Sequence, residues 1–323
     1  ASKNYLADIN KFYNKLFLSL NSPIDSVKLR LANAVWVDNT LQVNEDFYNT
    51  VTSNYYSTVR NLDFQNNPKR AKDTINHWAA LMTNDCIKKL SIDVSPSTRM
   101  VINNACYFNA KWKSFFHLNS NKEKFFTSNN DTALVQYMNQ AKTFGYAKTE
   151  DYQVVKVDYG MYVKEFDEYM PMGSTGAYSM LFLLPNEGKN LNDVIPTVQW
   201  DSIPFNDLYG SLTIPTFKFK NSIKLFAILN AMGLNDFIQC PKISDDEELA
   251  IGQIVQDSYI NVNESGTEAA AVTSIGIENT SYIEPEILFK AVFSRPFAFV
   301  IRENTSGLVL FMGKVENPSE EEE

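Results

Sequence analysis

Residues 3–19, KNYLADINKFYNKLFLS, bring apolar side chains back at Leu6, Ile9, Phe12 and Leu16, a spacing that predicts an amphipathic helix. KLRLANAVWV then reads as a strand. NEDFYNTVTSNYY follows as a helix, with Asn44 as its cap and acids in its first turn. PKRAKDTINHWAALMTNDCIKKL predicts a second amphipathic helix, opened by Pro68. RMVINNACYF is dense in apolar and aromatic residues and predicts a buried strand. From there to residue 225 strands dominate: YQVVKVDYG, YSMLFLLP and GSLTIPTFKF. NSIKLFAILNAMGL predicts a further helix, and strands continue to GLVLFMGKV. Helices come first and strands later, without a Gly/Ser linker or an internal repeat. The pattern predicts one α+β domain over residues 1–323.

Composition narrows the classes. The chain has 323 residues, 44% of them apolar, enough for a large core. Its net charge of −9 argues against nucleic acid as a partner. No apolar run reaches the length of a membrane span. The opening residues lack the apolar centre of a signal peptide. Cys86, Cys106 and Cys240 show neither a disulfide framework nor metal-ligand spacing, and free thiols are expected. Asn130, Asn263, Asn279 and Asn304 begin Asn-x-Ser/Thr tripeptides, which permit glycosylation. The tail at 319–323 is a solvated acidic end.

Catalytic chemistry is hard to find. The two histidines, His77 and His117, sit beside aromatic residues and suit structural roles. There is no nucleophile elbow, no His-Glu-x-x-His, no Cys-x-x-Cys and no glycine-rich phosphate loop. No cofactor is implied, and no enzyme.

One stretch resists a single assignment. NESGTEAAAVTS, 263–274, contains a good helix former in Glu-Ala-Ala-Ala, yet small and β-branched residues surround it. Read as a strand, its side chains alternate between two faces. Thr267, Ala269, Ala271, Thr273 and Ile275 form one set, and Glu268, Ala270, Val272 and Ser274 the other. The first set is small and uncharged, as a buried face requires. The second holds the lone charge, Glu268. Gly266 permits a pivot.

NESGTEAAAVTS resembles the hinge of the reactive loop of serpins. VINNACYFNAKWKSFF resembles that family's central strand, with Asn104 followed by Trp112. LFLLPNEGKNL, IPTFKFKNSIKLFAILNAMGL and SRPFAFVIRENTSGLVLFMGKVENP resemble further family blocks, in family order across residues 30–318. The resemblance implies a large central sheet, further sheets, surrounding helices and an exposed reactive-centre loop, here 264–288. It implies a monomeric suicide inhibitor of serine proteases. The protease forms an acyl-enzyme on the loop, and the loop enters the sheet before deacylation. The hinge is then Glu264, Gly266, Thr267, Glu268, Ala269, Ala270, Ala271 and Val272. A gate falls on Asn104, Trp112 and Gln256. In the family register the bond is Thr280–Ser281, which suits an elastase-like protease; a shift of two puts it at Tyr282–Ile283 and suits a chymotrypsin-like one. A carrier or chaperone role is the alternative. An extracellular setting is expected, with an intracellular one also open.

Three departures stand out. Gln256 occupies the place of a usual histidine, so its carboxamide closes the gate without titrating. Residues 159–178 are longer than the family's connection and are expected to be an enlarged loop. Residue 1 falls within a helix that follows the family's first elements, so the domain is expected to be N-terminally incomplete.

Overall fold

The computed structural model describes residues 2–21, 27–129, 131–160, 162–165, 168–171, 176–233, 243–244, 251, 253–267 and 285–319. In chain order these form α1 (Ser2–Asn21), β1 (Val27–Asp38), α2 (Glu45–Tyr55), β2 (Thr58–Leu62), α3 (Pro68–Met82), β3 (Met100–Lys111), β4 (His117–Phe126), β5 (Thr132–Lys148), β6 (Tyr152–Asp158), β7 (Tyr162–Glu165), β8 (Glu168–Pro171) and β9 (Tyr178–Pro185). Then come α4 (Leu191–Val194), β10 (Asn206–Pro215), β11 (Phe217–Lys224), α5 (Leu225–Ala231), β12 (Gln253–Asn263), β13 (Gly266–Thr267), β14 (Phe289–Val292), β15 (Phe297–Glu303) and β16 (Val309–Val315).

Among the described residues, one sheet runs β11-β12-β13-β3-β1-β2. A second runs β14-β10-β5-β6-β9-β15-β16, with β4 on β5. The main core fills the space where the two sheets meet, around Phe108, Trp112, Tyr137, Phe182 and Phe297. On the other face of the first sheet, α3 presses Ala71, Ile75, Trp78 and Ala79 down onto Trp36, Val101, Ala105 and Val255. That spacing is the one-sided stripe of a helix lying on a sheet.

Local differences from the sequence pattern have physical causes. The helix beginning at Pro68 stops at Met82, with Thr83 at its end. Asn84 and Asp85 adopt positive φ, 51° and 63°, and their short polar side chains tolerate that region. Residues 87–92 then run as a covering segment, burying Ile87, Leu90 and Ile92 against the sheet. Asn44 holds the N-cap position of α2, but its side chain makes no capping bond. Part of the connection expected as an enlarged loop is a hairpin, with Tyr162 opposite Pro171 and Glu165 opposite Glu168. The helix expected over 221–234 starts at Leu225, because Asn221–Lys224 extend β11 alongside β12.

Candidate functional site

Three strands meet where the sequence placed its ambiguous stretch. β3 and β12 are parallel neighbours from Val101 opposite Gln253 to Cys106 opposite Ser258. Beyond that row they part. Residues 107–109 and 259–261 have no register to each other. At the far end β13 sits between the two strands, antiparallel to both. Thr267 faces Val262 on one side and Ala110 on the other; Gly266 faces Asn263 and Lys111.

The turn into β13 is built by Asn263. Its Oδ1 accepts from the amides of Ser265 at 2.9 Å and Gly266 at 3.2 Å. Such Asx turns are a local habit of Asn beside Gly. The Trp112 Nε1 donates to the Asn263 carbonyl at 2.8 Å, and the Trp112 amide to the Ser265 carbonyl at 3.0 Å. The Phe116 amide donates to the Glu264 carbonyl at 2.9 Å. Trp112 stacks on Tyr159 at 4.5 Å and 10°. The Tyr159 and Thr267 hydroxyls lie 2.6 Å apart, both fully buried. Burial pushes the Tyr159 phenol far above its usual range, so it stays protonated and neutral.

Gly266 is required by contact. A Cβ there would stand 2.1 Å from the Ala110 carbonyl oxygen and 2.7 Å from the Lys111 Cα, at φ +157°. Backbone atoms of a central strand do not yield. Gly266→Ala is expected to drive Thr267 from its place and cost about 3 kcal/mol. Urea unfolding checks this; an unchanged midpoint would show that the turn has another way to seat.

The second cluster lies lower in the same strands. Gln256 Nε2 donates to Asn104 Oδ1 at 3.3 Å. Asn104 Nδ2 donates to Asn33 Oδ1 at 2.8 Å, and the Cys106 thiol reaches Asn104 Oδ1 at 3.2 Å. Burial pushes the Cys106 thiol up to about 11, so nothing in this cluster changes charge near neutral pH. Gln256→Ala should lower the urea midpoint by an amount worth about 1 kcal/mol, the usual net value of such a bond. No change would mean that water replaces the carboxamide without loss.

Sequence grouped Trp112 with Asn104 and Gln256. The structure separates them, because seven residues of strand lie between Asn104 and Trp112 and set Trp112 among the hinge residues. Sequence also missed Tyr159 and Asn33. Tyr159 lies far from the hinge along the chain, and nothing in VDYG marks it; the Asn-Glu-Ser-Gly turn signal was there for Asn263. Glu264, Gly266 and Thr267 are described; Glu268, Ala269, Ala270, Ala271, Val272, Thr280, Ser281, Tyr282 and Ile283 lie outside the described residues. His77 and His117 are exposed on α3 and β4. Cys86 and Cys106 are not disulfide-bonded to each other; Cys240 lies outside the described residues. Of the sequon asparagines, Asn304 donates Nδ2 to the Gly176 carbonyl at 2.8 Å and accepts from the Ser179 hydroxyl at 2.7 Å.

The site is thus a two-residue strand seated between two central strands of a mixed sheet. Residues 2–318 match the family model for serpins, described as serine protease inhibitors. The chain belongs to the serpin family. It is 33% identical to an uncharacterized serpin-like protein of Thermococcus kodakarensis, over 95% of this chain and 71% of that protein. It is 27% identical to Serpin B4 of Homo sapiens, over 96% of this chain and 80% of that one. Tengpin, a thermophilic serpin solved in the native state, superposes with a TM-score of 0.81 at 25% identity, covering 96% of this chain and 79% of the other. Human thyroxine-binding globulin, solved with thyroxine bound, superposes at 0.82 and 25% identity, over 97% and 82%. No helix among the described residues is long and apolar enough to cross a membrane.

Proposed function

We propose that the chain is a suicide inhibitor of serine proteases that traps the acyl-enzyme by drawing its own cleaved loop into the central sheet. The carrying observation is β13. Thr267 already occupies a strand position between β12 and β3, fully buried, with its hydroxyl on Tyr159.

Continuing that register sets Ala269 between Phe108 and Ile260, and Ala271 between Cys106 and Ser258. Thr273 reaches the row of Asn104 and Gln256. These are the positions on the core side, where a bulky or charged residue would not fit. Glu268 falls on the opposite face. The direct β3–β12 pairing must part for this strand to enter. About fourteen residues at roughly 3.3 Å each would carry the bound protease roughly 46 Å from its docking point. That pull distorts the oxyanion hole and triad, and hydrolysis stalls. The inhibitor supplies no catalytic group.

Thr280–Ser281 is the proposed scissile bond and an elastase-like protease the target, with Tyr282–Ile283 and a chymotrypsin-like protease as the second register. An extracellular encounter, one inhibitor to one protease, is part of the proposal. Likeness to thyroxine-binding globulin keeps a carrier role as the second reading. The small inward hinge set favours inhibition, since a carrier has no need to insert it. Incubation with both protease types and a denaturing gel separates the two. Inhibition gives a band at the summed mass; a carrier gives none.

A further inference from the structure

Asp257 lies in β12 directly opposite Ser222 of β11 and Ala105 of β3. It is fully buried. Strand alternation turns it, with Val255, to the face beneath α3 and the covering segment. Neither carboxylate oxygen has a hydrogen bond of good geometry, and neither does the Ser222 hydroxyl. The Ser222 hydroxyl and the Ser91 amide are the polar groups that approach the carboxylate.

No ion pair among the described residues reaches it. From β11, Lys220 acts only at longer range, since its Nζ is held by the Lys89 carbonyl at 2.7 Å. Lys224 is taken by Asp93 of the covering segment at 2.7 Å. β3 and β12 present the phenols of Tyr107 and Tyr259 one row further along. The covering segment also carries Lys88 and Lys89; α3 buries Ala71, Ile75, Trp78 and Ala79 on this side, and its Lys72 Nζ is held by the Ile92 carbonyl at 2.8 Å. A buried carboxylate without a counter-ion is costly. This one sits on the β3–β12 seam, which must part before any strand can enter.

We propose that Asp257 makes the closure of this seam pH-sensitive: ionised, it leaves a poorly partnered charge under residues 90–92 and loosens the cover, whereas protonated, it carries no charge and the cover seats. Burial holds its pKa above the ordinary carboxylate range, and Ser222, Lys220 and the Ser91 amide offset this only in part. A carboxyl that titrates higher in the folded than in the unfolded chain costs stability as pH rises between those two values. The full cost is present above the folded value. The closed sheet is therefore tightest in acid and weakest at neutral pH. The consequence for loop entry rests on the proposed inhibitory function; the stability effect does not.

Urea unfolding of the wild type and Asp257→Asn is followed from about pH 3, below the ordinary aspartate value of about 4, to pH 8. The two proteins should have equal midpoints in acid, and the Asn variant the higher midpoint at neutral pH. Ser222→Ala should move the bend in the profile to higher pH, because the hydroxyl favours the ionised form. A wild-type to Asn difference that does not vary with pH overturns the proposal. A synthetic peptide with the sequence of residues 267–280 should enter the wild-type sheet faster at neutral pH than in acid, by up to roughly tenfold per unit of displaced titration. It should enter the Asn variant slowly at both. Equal entry into the wild type at both pH values also overturns it. A peptide that enters at neither pH, beside unfolding profiles that bend as described, counts against inhibition by insertion and leaves the Asp257 assignment supported.

Discussion

Cutting the chain between residues 275 and 283 is expected to raise its melting temperature sharply, on the order of 20 °C. In the uncut chain β13 holds Gly266 and Thr267 between β12 and β3, and the same chain continues to β14 at Phe289. Once cut, the strand is free to continue past Thr267 into the gap at residues 107–109 and 259–261 and then through the β3–β12 seam. Each new backbone hydrogen bond is worth about 1 kcal/mol net. Ordering the loop opposes this by roughly 1–2 kcal/mol per residue. Burial of the alanine and threonine face adds to the gain at about 25 cal/mol per Å². The strand also partners the inner edges of β3 and β12 along their unmatched stretch. A limited digest followed by calorimetry makes the comparison. Identical melting before and after a clean cut would mean that no strand is added.

Thr267→Arg should turn the inhibitor into a substrate. Thr267 has no exposed surface and contacts the Tyr159 hydroxyl. A guanidinium there faces a neutral phenol, stacked Trp112 and the main core. Burying it costs several kcal/mol. Insertion slows, the acyl-enzyme has time to hydrolyse, and the protease leaves active. The readout is the number of inhibitor molecules consumed per protease trapped, which should rise at least about tenfold for an increase of about 1.4 kcal/mol or more in the insertion barrier. Unchanged stoichiometry would mean that Thr267 does not need to stay buried for trapping. The variant's own urea midpoint should also fall, since β13 loses its place in the uncut molecule.

Gly266 and Thr267 were legible in part, as a glycine where the backbone of β3 passes close and a small residue that the structure buries between β12 and β3. The buried strands were legible as apolar runs, and YSMLFLLP is fully buried in β9 along its whole length. Other features had no linear signal. Tyr159 meets Thr267 across 108 residues of chain. Asn33 joins Asn104 only because β1 and β3 pair in register. Trp112 was grouped with the gate because both lie on one strand, yet strand length carries it to the hinge. The end of α3 was hidden because Thr-Asn-Asp-Cys continues a helical pattern in composition and breaks it through left-handed backbone at Asn84 and Asp85. Nothing in the sequence around Asp257 marks it as buried; its place in β12 between β11 and β3, beneath the covering segment, buries it.

Trapping is tested most directly by incubating the chain with an elastase-like protease, isolating the covalent complex under denaturing conditions, and determining the mass and N-terminus of the released peptide. The proposed mechanism predicts a complex of one inhibitor and one protease, stable to denaturant, with a new N-terminus at Ser281, or at Ile283 with a chymotrypsin-like protease. Cleavage of the loop with full recovery of active protease and no complex would contradict it.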